Sequence, residues 1–93
     1  MTTVTIQIGN SDDKLTQAEW ARYVIEVERA IKYYCTDVHF FGGSPNWYPW
    51  QNVAWVTNAD KHDLTRLATR LAEIRENYGQ ESIAWTQGET AFI

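Results

Sequence analysis

Residues 3–20 read TVTIQIGNSDDKLTQAEW, and this stretch passes from a strand pattern into the start of a helix. Residues 3–8 alternate strictly between polar and apolar, which is the period of a half-buried strand. The Gly-, Asn- and Asp-containing segment that follows breaks the strand. Thr16 and Glu19 then have the spacing of a capping box, in which each side chain bonds the backbone N–H of the other residue. The stretch predicts a strand, a turn and a helix.

The rest of the chain extends this pattern. Apolar residues at spacings of three and four predict a helix from Thr16 through Tyr34 and a second over 64–78, and Gly79 supplies the left-handed residue that commonly ends a helix. Apolar and alternating runs predict further strands over 37–41, 51–57 and 82–86, with a turn over 87–89. The order β-α-β-β-α-β predicts a ferredoxin-like α+β domain over residues 1–93, with a four-stranded antiparallel sheet and both helices on one face.

Composition and charge narrow the classes of partner. The chain has 93 residues, is 44% hydrophobic and carries a net charge of −4, so it can bury a core and repels a phosphate backbone. Duplex nucleic acid is therefore not expected as a partner. Cys35 is the single cysteine, which excludes an intramolecular disulfide and favours a reducing compartment. The first residues lack a signal-peptide pattern, and no apolar run reaches the length of a membrane span, so we expect a soluble cytoplasmic protein without membrane contact.

The residues that could carry catalysis form no recognisable signature. Cys35 and His39 are close in sequence, but they flank a helix-to-strand junction, and no third group is placed to orient them. Gly42 and Gly43 lack the spacing and the lysine of a phosphate-binding loop, so a turn is the simpler interpretation. We expect no enzyme, no cofactor and no metal site.

An aromatic segment connects the second and third predicted strands. Residues 40–55 read FFGGSPNWYPWQNVAW, and the connection is longer than the roughly two to five residues of a usual hairpin loop. Trp47, Tyr48 and Trp50 are the candidate anchors of a binding site, because rigid aromatic side chains dominate binding hot spots.

The open face of the predicted sheet is the second candidate surface, since the helices cover only the other face. The sequence leaves open which face Trp55 and Trp85 occupy. If they face outward, they form with Phe41 an exposed aromatic patch of the kind that marks an interaction site. If they face inward, they fill the core, as Trp commonly does. Phe40 and Val53 are expected to face the core.

Three segments together resemble a group of small uncharacterised proteins encoded by phages of actinobacteria. The segments are TIQIGNSDDKLTQAEW (5–20), VHFFGGSPNWYPWQNVAW (38–55) and YGQESIAWTQGETAFI (78–93). The resemblance implies a phage protein that acts in the bacterial cytoplasm, and it implies no catalytic residue. Small accessory phage proteins commonly bind a host protein or neutralise a defence component or its nucleotide signal.

These observations favour a non-enzymatic module that binds a host protein through the aromatic loop and the open sheet face. The candidate binding residues are Phe41, Trp47, Tyr48, Trp50, Trp55 and Trp85. An alternative is a small-ligand binder, such as a nucleotide sponge, that stacks its ligand on the Trp residues. A third hypothesis is an enzyme similar to the small cofactor-free dimeric α+β proteins, with His39 as a base in an aromatic cavity. This hypothesis requires a closed polar and apolar cavity around His39. That family also pairs sheet faces, so a homodimer is consistent with the sequence.

Overall fold

The computed structural model describes residues 2–10, 14–45 and 51–93. Its elements, in chain order, are β1 (Thr2–Gly9), α1 (Gln17–Tyr34), β2 (Asp37–Gly43), β3 (Asn52–Ala59), α2 (Lys61–Asn77) and β4 (Ala84–Glu89). The four strands form one sheet in the order β2-β3-β1-β4, and every neighbouring pair is antiparallel. This arrangement confirms the predicted ferredoxin-like α+β fold.

The helix termini follow the local sequence signals. The Thr16 side chain accepts a hydrogen bond from the Glu19 N–H at 3.2 Å, and the Glu19 carboxylate accepts one from the Thr16 N–H at 2.9 Å. The capping box is thus complete and fixes the start of α1. After α2, Gly79 adopts φ of 64°, the left-handed conformation that glycine tolerates without strain.

The core lies between the sheet and the two helices. Its buried side chains come from both layers and include Val4, Ile6, Ile8, Tyr23, Val27, Ile31, Trp55, Leu67, Leu71 and Ile74. Residues paired directly across antiparallel strands point to the same face. Ile6 pairs with both Trp55 and Trp85, so these three side chains form a row on the helix-facing side of the sheet. The alternative in which both Trp residues face inward is the correct one.

An irregularity in β2 changes the faces that its aromatic residues occupy. The register with β3 shifts between Val38 and Phe40. Phe40 consequently pairs with Val56 on the open face, whereas Phe41 pairs with Trp55 on the helix-facing side. The expectation that Phe40 faces the core was wrong, because the extra residue at the shift reverses the alternation. Val53 does pack against the core, as predicted.

Strand β4 differs from the sequence-based expectation. Residues 87–89 were predicted to form a turn, but β4 continues through Glu89 and Gly88 pairs with Thr3 of β1. Pairing with β1 explains the difference. β1 provides a regular hydrogen-bonding ladder along its whole length, and pairing with this ladder outweighs the turn preference of a Gln-Gly pair. Within the residues that the model describes, no helix combines the length and hydropathy needed to cross a membrane.

Candidate binding surface

Strand β2 leaves its apolar side chains in solvent. Val38 is 37% exposed, Phe40 54% and Phe41 50%, although all three lie in one seven-residue strand. They point to both faces of the sheet at its edge, since Val38 and Phe41 are on the helix-facing side and Phe40 is on the open side. We call these three residues the β2 surface. Its exposure is unusual for large apolar side chains that lie close together.

The backbone of β2 also has hydrogen-bonding groups directed away from the sheet. The Ser44 N–H donates to the Asn52 carbonyl at 2.9 Å, which marks these opposed residues as a hydrogen-bonded pair. Hydrogen-bonded and non-bonded pairs alternate along an antiparallel ladder. Phe41 and Gly43 therefore each form a non-hydrogen-bonded pair with the residue opposite them in β3. Their N–H and C=O groups point away from β3, toward the outer edge of the sheet. In the part of the chain described, no further strand pairs with that edge.

The open side of β2 is shaped by Phe40 and Gly42. A Cβ placed on Gly42 would lie 2.8 Å from Cζ of Phe40, so the Phe40 ring lies directly over this glycine. The ring covers backbone that has no side chain of its own, while more than half of it stays accessible. Half-buried Ala54 and Val56 of β3 continue the same face. The result is a shallow apolar strip along the β2 edge of the open face.

The predicted binding residues divide into four groups by their placement. Trp47, Tyr48 and Trp50 lie outside the described residues. Phe41 is half exposed, and its ring centroid lies 5.4 Å from that of Trp55. Trp55 itself is 0% exposed, which corrects its assignment to a binding surface: its position in the central row of the sheet places it beneath the helices.

Trp85, the remaining predicted binding residue, is half-buried on the helix-facing side. It borders a cavity of about 370 Å³ between β4 and α2, together with Leu64, Ala68 and Ile83. The indole N–H of Trp85 donates to the Gln87 carboxamide at 2.8 Å. Trp85 therefore contributes to a groove on the helix side and not to the open face.

Three polar residues, Asn10, Gln17 and Gln51, connect the beginning of β3 to the region around the start of α1. The Asn10 backbone N–H donates to the Gln51 carbonyl at 2.8 Å, and the buried Asn10 side chain exchanges two hydrogen bonds of 3.1 Å with the backbone of Leu15. The Gln51 carboxamide pairs reciprocally with that of Gln17 at 3.0 and 3.2 Å. These bonds fasten Gln51, directly before β3, to the start of α1.

A cavity of about 460 Å³ lies on the open face around His39. Its lining is polar and apolar: Thr3, His39, Val56, Asn58, Glu89, Thr90 and Phe92. The Thr3 hydroxyl donates to the Asn58 carboxamide oxygen at 3.2 Å and also contacts the Thr90 hydroxyl. His39 and Phe92 are exposed, so the cavity is open to solvent and not closed as the enzyme hypothesis requires.

Cys35 and His39 do not form a catalytic pair. Cys35 packs against the core on the helix side, whereas His39 lines the cavity on the opposite face of the sheet. Burial raises the pKa of the Cys35 thiol above its usual 9.0, against a smaller lowering by a hydrogen bond with Thr57. A protonated thiol is a poor nucleophile.

The second histidine lies in a small polar group at the start of α2. Ligand atoms of Asp60, His62 and Asp63 come within 4.8 Å of one another. The positive end of the helix dipole opposes a cation at this position. We assign no metal to the group.

The comparisons with known proteins bear on the fold alone. No protein-family model matches the chain, and no curated protein does either. A de novo designed protein, Foldit4, has a similar structure with a TM-score of 0.69 and 13% identity, and the alignment covers 97% of this chain and 98% of that chain. A chain described as an amidohydrolase/peptidase from Burkholderia cenocepacia aligns with a TM-score of 0.35 and 17% identity over 97% of this chain and 26% of its own length, which is too weak to carry an argument.

Proposed function

We propose that this protein is a non-enzymatic module that binds a partner protein through the β2 surface and the adjoining strip of the open face. The observation that supports the proposal is the exposure of Val38, Phe40 and Phe41 in one strand at the edge of the sheet. Exposed apolar clusters of this kind mark protein–protein contacts. The cost of leaving these side chains in water is recovered when a partner covers them.

The edge geometry favours a partner segment that adds to the sheet as a strand. The outward N–H and C=O groups of Phe41 and Gly43 supply hydrogen bonds without regard to the partner's sequence. The side chains of Phe40 and Phe41 flank the added strand on opposite faces and supply specificity. Trp47, Tyr48 and Trp50 follow β2 directly in sequence, and we propose that they extend the contact.

The class of partner follows from charge and from the sequence resemblance. A net charge of −4 opposes binding to a phosphate backbone, so a protein is the better partner. The resemblance to small actinobacterial phage proteins supports a host protein as that partner and the bacterial cytoplasm as the place where the two meet. Within this proposal, the described residues contribute binding contacts and no catalytic group.

The test compares two exposed apolar side chains that lie on different surfaces. Phe40→Ala removes the ring on the open face, and Ile25→Ala removes a side chain of similar exposure (47%) from α1. Both tagged variants and the wild type are used to capture proteins from actinobacterial lysate, and the affinity of the captured protein is then measured in purified form. We expect Phe40→Ala to weaken binding by roughly tenfold or more, as for a hot-spot aromatic, and Ile25→Ala to leave it unchanged.

A Trp47→Ala/Trp50→Ala double variant tests the contribution of the adjoining segment in the same assay. A partner held equally by the wild type, the double variant and Phe40→Ala would contradict the proposal. If only the double variant loses the partner, β2 is not part of the binding site, and the site consists of the loop alone.

The cavity around His39 favours a second candidate function, the binding of a small polar ligand on the open face. Its volume of about 460 Å³ is within the range of small-molecule sites, and its lining combines hydroxyl, amide, imidazole and phenyl groups. We expect a ligand of this site to raise the thermal midpoint of the wild type and of the control His62→Ala, but not of His39→Ala. If no compound in a panel of small planar metabolites separates the two histidine variants, this candidate fails.

A further inference from the structure

The helix layer contains a cationic and aromatic groove on an otherwise acidic protein. Two adjoining cavities of about 300 and 360 Å³ lie between α1 and α2 and share Tyr34 and Arg70 in their lining. Arg29 and Tyr33 border the first cavity, and Arg66 borders the second. We call this continuous surface the helix groove. It lies on the side of the molecule opposite the open sheet face.

The described lining of the helix groove contains three arginines, Arg29, Arg66 and Arg70, and two glutamates, Glu26 and Glu73. The Arg70 guanidinium donates to the Glu73 carboxylate at 3.2 Å, so this arginine has an acidic partner. Among the residues that the model describes, neither Arg29 nor Arg66 takes part in an ion pair or a hydrogen bond. Two guanidiniums with no ion-pair partner in the described ranges are notable in a chain with twelve acidic and eight basic residues. The Glu26 carboxylate accepts a hydrogen bond from the Tyr78 hydroxyl, and the arginines outnumber the glutamates in the lining, so the groove favours an anion.

The aromatic part of the groove is exposed to solvent. The Tyr33 side chain is 81% exposed, and its ring packs edge-on against Tyr34, with centroids 4.8 Å apart and an interplanar angle of 80°. Arg29 precedes Tyr33 by four residues on α1, so the two side chains lie on the same face of the helix. If a planar ring stacks on Tyr33, a phosphate attached to that ring would therefore lie close to Arg29.

We propose that the helix groove binds a nucleoside phosphate, with the base stacked on Tyr33 and the phosphates bound by Arg29 and Arg66. Guanidinium groups bind phosphate oxygens through paired N–H donors, and tyrosine rings stack on planar heterocycles. The combined volume of the two cavities suits a ligand of this size. This site is independent of the β2 surface, and it uses none of the Trp residues that the sequence analysis considered for base stacking.

The experiment is isothermal titration of the full chain with three probes, namely ATP, adenosine and inorganic tripolyphosphate. We expect ATP to bind most tightly, because only ATP presents both the base and the phosphates. The double variant Arg29→Gln/Arg66→Gln should bind ATP at least tenfold more weakly, since each phosphate contact is a charge-assisted hydrogen bond. Lys61→Gln, which removes an exposed positive charge elsewhere on α2, should keep the wild-type affinity within about twofold.

Two further variants separate a specific site from general charge attraction. Glu73→Gln removes the carboxylate that competes for Arg70, so it should tighten ATP binding, whereas Tyr33→Ser should make ATP and tripolyphosphate equivalent. The proposal is overturned if ATP shows no saturable binding up to about 1 mM. It is also overturned if the double arginine variant binds ATP like Lys61→Gln, or if adenosine binds as tightly as ATP. Capture of a protein partner by Arg29→Gln/Arg66→Gln should equal that by the wild type, so failure here and failure of the β2 proposal are distinguishable.

Discussion

Strands β2 and β3 are hydrogen-bonded neighbours that both carry large apolar side chains, yet their environments differ. In β3, Trp55, Thr57 and Ala59 are fully buried, and the residues between them are half-buried. In β2, every residue except Gly42 is exposed. The difference is one of position: β3 lies between two strands, whereas β2 is the edge strand of the sheet that the described residues form. Apolar composition therefore does not determine burial in this sheet.

The comparison separates residues that stabilise the fold from residues that remain available to a partner. Trp55 is part of the core that holds the helices on the sheet. Phe40 and Phe41 contribute much less to that core, because about half of each ring stays in solvent. In the function that we propose, β2 is the part of the sheet that a binding partner completes.

The largest expected effect is on stability at Trp55. Trp55→Ala should lower the free energy of unfolding by about 3–5 kcal/mol, because it leaves a large cavity beneath the helices. Phe41→Ala, at the directly paired position of β2, should cost only about 1 kcal/mol. Chemical denaturation of both variants measures the difference. Similar losses at the two positions would contradict the contrast between the strands.

Trp55→Phe provides a control for this first prediction. The indole N–H of Trp55 is buried and has no hydrogen-bond partner among the described residues. A phenyl ring removes this unsatisfied donor while it keeps most of the apolar contact. We therefore expect Trp55→Phe to lower the free energy of unfolding much less than Trp55→Ala does. Equal losses in the two variants would show that the aromatic ring is not the stabilising feature.

The two glycines of β2 give the next effect in size. A Cβ on Gly43 would lie 2.2 Å from the Asn52 carbonyl oxygen, which is fixed backbone, so Gly43→Ala should destabilise the fold by about 1–3 kcal/mol. Gly42→Ala meets only the movable ring of Phe40 and should cost less. Thermal denaturation compares the two variants. If Gly42→Ala is the more harmful substitution, the Phe40 ring is held more firmly than its exposure indicates.

The smallest expected effect concerns the helix that covers β3. The hydrogen bond from the Thr16 N–H holds the pKa of Glu19 below its usual 4.5. A carboxyl group whose pKa is lower in the folded state stabilises that state above its unfolded pKa, and the stabilisation is lost as the pH falls through the folded value. Acid should therefore weaken the start of α1, and Glu19→Gln should show less of this acid dependence.

Circular dichroism melting curves at neutral pH and at about pH 3 measure the acid effect. The control is Glu81→Gln, which removes an exposed carboxylate outside the helices. An identical acid response in the wild type, Glu19→Gln and Glu81→Gln would show that the capping box does not contribute to it.

The sequence predicted the elements whose signals are local. The alternation of residues 3–8, the Thr16–Glu19 capping box and the glycine after α2 each act within a few residues, and the structure confirms all three. The fold class followed from the order of these elements. Local signals of this kind agree with the global fold in natural sequences.

Features that depend on partners distant in sequence were not predictable in this way. The register shift at His39 exchanges the sheet faces on which Phe40 and Phe41 lie, and no pattern in the sequence of β2 predicts this shift. The inward position of Trp55 depends on its pairing with Ile6, and the continuation of β4 through Gly88 depends on pairing with β1. These features are set by strand pairing between residues distant in sequence, and the pattern of one strand alone does not decide which of its faces is buried.

The most direct test of the central claim is amide hydrogen exchange with and without the captured partner protein. The outward N–H groups of Phe41 and Gly43 should exchange rapidly in the free protein and become protected on binding, while the central amides of β1 stay protected throughout. Protection that appears on the helices while the amides of β2 remain unchanged would contradict the claim that β2 is the binding surface.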